Sequence, residues 1–83
     1  MKIVTVSLPN GQKLRIFLKS YDKASKTLKI STYTPYNGIV CNYTYYYDGI
    51  DCVLIEKENR AGNEPVLDFL NYNTSIIIAL VKK

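Results

Sequence analysis

Apolar and polar residues alternate with a period of two over residues 3–8 and 13–19, the pattern of half-buried strands. Val4, Val6 and Leu8 share one side of the first segment, and Leu14, Ile16 and Leu18 share one side of the second. Pro9-Asn10-Gly11 between them suits a three-residue loop. Pro9 presets φ for a type I turn, and Gly11 takes the left-handed bulge position. That loop pairs Leu8 with Gln12, Val6 with Leu14 and Val4 with Ile16, so the apolar sides coincide. A two-residue Asn-Gly turn would set Val6 against Arg15 and put the faces in conflict.

The next hairpin is expected to turn at Tyr21 to Ser25. Pairing Ser20 with Lys26 sets Leu18 opposite Leu28, Ile16 opposite Ile30 and Leu14 opposite Thr32. The third strand then runs from Lys26 to Thr34, and Pro35-Tyr36-Asn37-Gly38 ends it. A further pair, Ile39 to Tyr47 and Ile50 to Lys57, flanks Asp48-Gly49, a strong two-residue hairpin signal. That register sets Tyr47 opposite Ile50, Tyr45 opposite Cys52, Tyr43 opposite Leu54 and Cys41 opposite Glu56. Cys41 and Cys52 would then lie roughly 13 Å apart along the strands. A disulfide needs Cα atoms within about 7 Å, so two free thiols are expected.

Glu58 to Asn63 is polar and reads as a loop. Asn63 is placed to cap a helix and Pro65 suits a first helical turn, so one or two turns are expected over residues 64–72. The run Ile76-Ile77-Ile78-Ala79-Leu80-Val81 does not alternate. Read as a last strand over residues 74–81, it must be buried on both faces, under the short helix or against a second subunit. The predicted fold is therefore mostly β: a single domain over residues 1–83, a small antiparallel barrel or compact sandwich. It has about six strands and at most one short helix, before the last strand.

Composition adds constraints. With 83 residues the chain has a thin core, which an oligomer interface would reinforce. It has no histidine, so Ser-His and Cys-His nucleophile pairs are excluded, and no P-loop or dinucleotide glycine pattern occurs. Asp48, Asp51 and Glu56 read more simply as turn and strand residues than as a carboxylate pair or a calcium loop. The expectation is a non-enzymatic protein with no metal, no cofactor and no small-molecule substrate. The longest apolar run is far short of the roughly 20 residues of a membrane span. Met1-Lys2-Ile3-Val4-Thr5 has no signal-peptide core, which makes the cytoplasm the expected location, the host's if the chain is viral. Abundant Lys, Asn, Ile and Tyr suit an AT-rich genome, as in some archaea, low-GC bacteria and their viruses.

Charge is the most informative bulk feature. The net charge is +4, but residues 1–30 hold seven basic groups against Asp22 alone, a net +6. The remainder holds four basic and six acidic groups, a net −2. One-sided basic surfaces attract polyanions. The expected registers place Lys13, Arg15, Phe17 and Lys19 on the outer side of the second strand. Lys29, Ser31 and Tyr33 lie on the outer side of the third, with Phe17 opposite Lys29 and Lys13 opposite Tyr33. Ile3, Thr5 and Ser7 complete the face. Cations that neutralise phosphates, interleaved with rings that stack on bases, make this face a candidate nucleic-acid surface. The alternative is an ordinary solvated face, since lysine also protects sheet edges.

Tyrosine is concentrated as well: Tyr33, Tyr36, Tyr43, Tyr45, Tyr46 and Tyr47 fall within fifteen positions. Tyr43, Tyr45 and Tyr47 project to one side and Tyr46 to the other. Such a ladder serves equally as a core wall or as an interface. With Ile77 of the last apolar run, these four tyrosines form the candidate surface for self-association or for a protein partner.

Overall fold

The computed structural model describes residues 2–36, 38–58 and 64–82. The chain forms β1 (Lys2–Ser7), β2 (Lys13–Asp22), β3 (Thr27–Thr34), β4 (Ile39–Tyr47), β5 (Cys52–Lys57), α1 (Glu64–Tyr72) and α2 (Thr74–Lys82). The strands make one antiparallel meander in sequence order, with β1 and β5 at its edges. The sheet is open, not a closed barrel. The mostly β expectation holds, with five strands and two helices among the described residues in place of the expected about six strands and at most one short helix.

The first hairpin takes the expected form. Val4 pairs with Ile16 and Val6 with Leu14. The Leu8 N–H donates to the Gln12 carbonyl at 2.8 Å, and Gly11 has φ 85°. The helix expected over residues 64–72 is present, with Pro65 and the acidic Glu64 in its first turn. The expected cap at Asn63 lies outside the described residues.

Residues 74–81 form no strand. They lie in α2, where Ile77 and Leu80 are buried and Ile76, Ile78 and Val81 pack against the core. A three-residue spacing of buried positions is helical. The β-branched run favours a strand locally, but the chain before it supplies a helix junction. The Asn73 N–H donates to the Leu70 carbonyl and its side-chain amide to the Phe69 carbonyl, closing α1. The Ile76 N–H donates to the Asn73 carbonyl, opening α2. Both helices lie on one face of the sheet, and α2 packs over β1 and β2. The expected burial on both faces is not met: Ile77 and Leu80 are buried, Ile76, Ile78 and Val81 are partly buried and Ala79 is exposed, because a helix lying on the sheet buries one side only.

The second hairpin departs from the expected register. Leu18 pairs with Ile30 and Ile16 with Thr32, and a bulge falls between Leu18 and Ser20. Strand β2 continues past Ser20, so that Tyr21 pairs with Leu28 and Asp22 with Thr27. The turn tightens to Lys23 to Lys26. The Asp22 carboxylate accepts from the Ala24 N–H at 3.0 Å, and Lys26 adopts a left-handed φ of 59°. The bulge reverses the alternation of β2: Leu18 faces the core before it and Tyr21 faces the core after it.

The last hairpin is also displaced by two residues. Tyr47 pairs with Cys52 and Tyr45 with Leu54, and a bulge precedes the pairing of Thr44 with Glu56. The turn is the four-residue Asp48 to Asp51, not the two-residue Asp48-Gly49. The Asp48 carboxylate accepts from the Ile50 and Asp51 N–H groups at 2.9 and 2.8 Å, which fixes the longer loop. Cys41 is therefore not opposite Glu56; its neighbour is Thr32 on β3. Neither Cys41 nor Cys52 is joined in a disulfide. They sit six positions apart along β4, about 20 Å at the usual rise, far beyond disulfide reach.

The core lies between the sheet and the helices. It contains Leu14, Ile16, Leu28, Ile30, Tyr43, Tyr45, Leu70 and Ile77, all almost fully buried. Tyr43, Tyr45 and Tyr47 are thus a core wall and not a surface, and Ile77 is core beside them. Their rings offer nothing to a partner while the chain is folded. Among the described residues no helix is long and apolar enough to cross a membrane.

Candidate nucleic-acid interface

The face of the sheet opposite the helices is built by the outward positions of the same strands. Alternation sends Leu14 and Ile16 into the core and leaves Lys13, Arg15 and Phe17 outward on β2. On β3 the same rule leaves Lys29, Ser31 and Tyr33 outward. All six expected residues, Lys13, Arg15, Phe17, Lys19, Lys29 and Tyr33, therefore share this face. Their pairing differs from expectation because the relocated turn and the bulge together shift β3 by two residues against this part of β2. Phe17 lies opposite Ser31 and not Lys29, Arg15 lies opposite Tyr33 in place of Lys13, and Lys29 lies opposite Ser20.

The shift changes the chemistry of the face. Arg15 and Tyr33, now direct neighbours, place the guanidinium carbon 6.0 Å from the ring centroid, a cation–π distance. At the bulge Lys19 is an added outward residue, and its Nζ donates to Asn42 Oδ1 on β4 at 3.4 Å. Asn42 is a hub that residue-type arguments alone miss. Its Oδ1 also accepts from Ser31 Oγ at 2.5 Å, and its amide donates to Glu58 Oε1. The outward parity of β4, shared by Asn42, Thr44 and Tyr46, was the available signal. At the far end of the face Lys13 Nζ donates to Ser7 Oγ at 2.9 Å.

Beyond β3 the face changes character. Tyr46 lies opposite Val53 across β4 and β5, and Val53 and Ile55 are more than half exposed. Tyr46 is thus the one member of the expected tyrosine interface that stands on this face, half-buried beside an apolar edge.

Elsewhere, Tyr45, Cys52 and Asp48 are shifted by their surroundings. Burial raises the Tyr45 phenol well above its ordinary value, with Cys52 and Tyr43 adding to the shift. Its hydroxyl is buried without a hydrogen-bond partner. Burial also raises the Cys52 thiol. The Asp51 and Ile50 N–H groups lower the Asp48 carboxyl, as a turn acceptor should be lowered. A recess of about 400 Å³ between the first turn and α1 is lined by Leu8, Pro9, Pro65, Phe69 and Tyr72, with Asp68 its one charged group. It holds no acid–base pair. A second recess of about 500 Å³, beside Tyr21 and Tyr47, gathers Lys23, Lys26 and Lys82 near Asp48. Among the described residues no three His, Cys, Asp or Glu side chains gather to hold a metal ion. No family model matches the chain, and neither a curated protein nor a solved structure matches it.

Proposed function

We propose that this chain is a non-enzymatic binding domain that holds nucleic acid on the outer face of β1 to β3. One observation carries the reading. Lys13, Arg15, Lys19 and Lys29 share with Phe17 and Tyr33 the one sheet face that the helices leave uncovered. Phosphate contacts supply affinity and rings supply stacking, and this face offers both. Titrating labelled oligonucleotides at about 50 and about 200 mM salt tests it. Four phosphate contacts predict an affinity falling by roughly 50- to 150-fold across that range. The double variant Arg15→Glu, Lys29→Glu should abolish most of the binding. No binding at the lower salt overturns the reading.

A second reading is a homo-oligomer or adaptor. Its original residues, Tyr43, Tyr45, Tyr47 and Ile77, are in the core. The exposed apolar edge of Tyr46, Val53 and Ile55 now favours it instead. Sedimentation across the micromolar range tests the self-associating form of this reading: a concentration-independent monomer removes it.

A further inference from the structure

We infer that the basic face takes single-stranded rather than duplex nucleic acid. The inference rests on the reading just proposed and specifies its ligand. Three features of the face point the same way.

The first is width. The major groove of B-DNA is about 12 Å wide and admits one helix or a two-stranded ribbon. The cations here lie on β2 and β3, the middle of an unbroken five-stranded sheet. Strands at about 4.8 Å spacing make that sheet roughly 19 Å across before side chains are added. It cannot enter a groove, and a duplex can only lie across it with its bases out of reach.

The second feature is ring spacing. Phe17 lies opposite Ser31, and Tyr33 lies two residues further along β3. Diagonal neighbours of this kind are about 7–8 Å apart. Successive bases in a duplex rise by about 3.4 Å, less than half of that. Two rings so separated can each hold one base only where successive bases are splayed from each other, as a single strand allows.

The third feature is the order of groups along β2. Its outward positions run Lys13, Arg15, Phe17, Lys19, so a ring stands between cations. The bulge keeps Lys19 on this side, where Asn42 holds its ammonium. Arg15 reaches over the Tyr33 ring, which places a phosphate-binding cation at the edge of the second stacking position. The track alternates backbone contacts with base contacts, which is what a short extended strand presents.

The test is fluorescence anisotropy of the full chain with three labelled probes: oligothymidylate and oligouridylate of about eight nucleotides, and a DNA hairpin whose G·C-rich stem of about eight base pairs stays paired under the assay conditions. The expected result is binding of the single strands at least tenfold tighter than the duplex. Phe17→Ala and Tyr33→Ala should each weaken single-strand binding by roughly 5- to 100-fold and leave duplex binding within about twofold. Phe17→Tyr, which keeps a ring, should retain most of the affinity and guards against a folding defect in the alanine variant. Lys29→Ala should lower all three affinities alike. Comparison of the thymidylate and uridylate probes shows whether DNA or RNA is preferred; either preference supports the inference. Duplex bound as tightly as single strand, or ring variants without effect, overturns it and leaves the binding face intact. No binding to any probe at low salt overturns the underlying reading as well.

Discussion

Along β4, Cys41, Tyr43, Tyr45 and Tyr47 are buried in the core, whereas Val40, Asn42, Thr44 and Tyr46 stand on the other face. Tyr45 and Tyr46 are the same residue type, one position apart. The first is fully buried and its hydroxyl has no partner; the second lies half-open beside Val53. The contrast shows that parity within the strand, not residue type, decides which side chains hold the fold and which are offered to a ligand. The same rule separates Ile16 from Arg15 and Ile30 from Lys29 on the neighbouring strands. It also assigns opposite consequences to substitutions on the two faces.

The largest difference should come from the core side at α2. Ile77 is fully buried, and Ile77→Ala should lose about 2–5 kcal/mol, a large share of the roughly 5–15 kcal/mol that holds a small domain. Urea unfolding followed by circular dichroism measures it. A chain ending at Asn73 loses the whole of α2 and should show no cooperative transition. If that shortened chain still melts cooperatively near the parent temperature, α2 is an appendage and the two faces are energetically alike.

Much of this contrast is legible in the sequence, and what escapes does so for local reasons. The Pro9-Asn10-Gly11 loop could be read because only one loop length aligns Val4, Val6, Leu14 and Ile16 on a common face. The two displaced registers could not, because each combines a turn of another length with a bulge. One extra residue at Lys19, or near Ile55, changes no hydrophobic count and shifts pairing by one; with the changed turns, Arg15 to Leu18 on β2 and Tyr45 to Tyr47 on β4 end two positions from the expected register, an even step that keeps the same faces together. For that reason the set of outward residues survived while their neighbours changed, and the Arg15–Tyr33 contact emerged only from the fold. The Ile76 to Val81 run failed differently. A continuous apolar stretch has no period to separate strand from helix, and three isoleucines tilt the local preference to strand. The cap residues Asn73, Thr74 and Ser75 before it, with Lys82 in the last turn, were the helical signals.

An intermediate effect should separate Tyr45 from Tyr46. The Tyr45 hydroxyl is buried without a partner, a desolvation penalty that Phe would relieve, so Tyr45→Phe should stabilise the fold by about 1 kcal/mol. Tyr46→Phe should change stability by no more than about 0.5 kcal/mol. The pH dependence gives a second measure. Burial raises the Tyr45 phenol above the value of about 10 that it regains on unfolding. The folded state therefore keeps a proton that the unfolded state releases, and stability falls as pH rises past about 10. In Tyr45→Phe that alkaline loss should be smaller than in the parent. An alkaline loss in Tyr45→Phe equal to that of the parent would mean that the Tyr45 hydroxyl is hydrated and that the inner face is not dry there.

The smallest stability effect should be at Val53 and Ile55, where the outer face is apolar without being core. Both side chains are more than half exposed, at 56% and 59%, so most of their apolar area stays in water in the folded monomer. Replacing them with lysine removes little buried surface and adds charge to an edge strand, a change that edges tolerate well. The double variant Val53→Lys, Ile55→Lys should therefore keep its unfolding midpoint within about 0.5 kcal/mol of the parent. If the parent is a monomer, the variant should sediment identically. A parent that sediments as a larger species and a variant that falls to monomer would show the Tyr46–Val53 edge to be a contact between copies. A large loss of stability in a variant that is monomeric throughout would be the more damaging result. It would show that these side chains are packed after all, and that the division between a core face and an open face does not extend to β5.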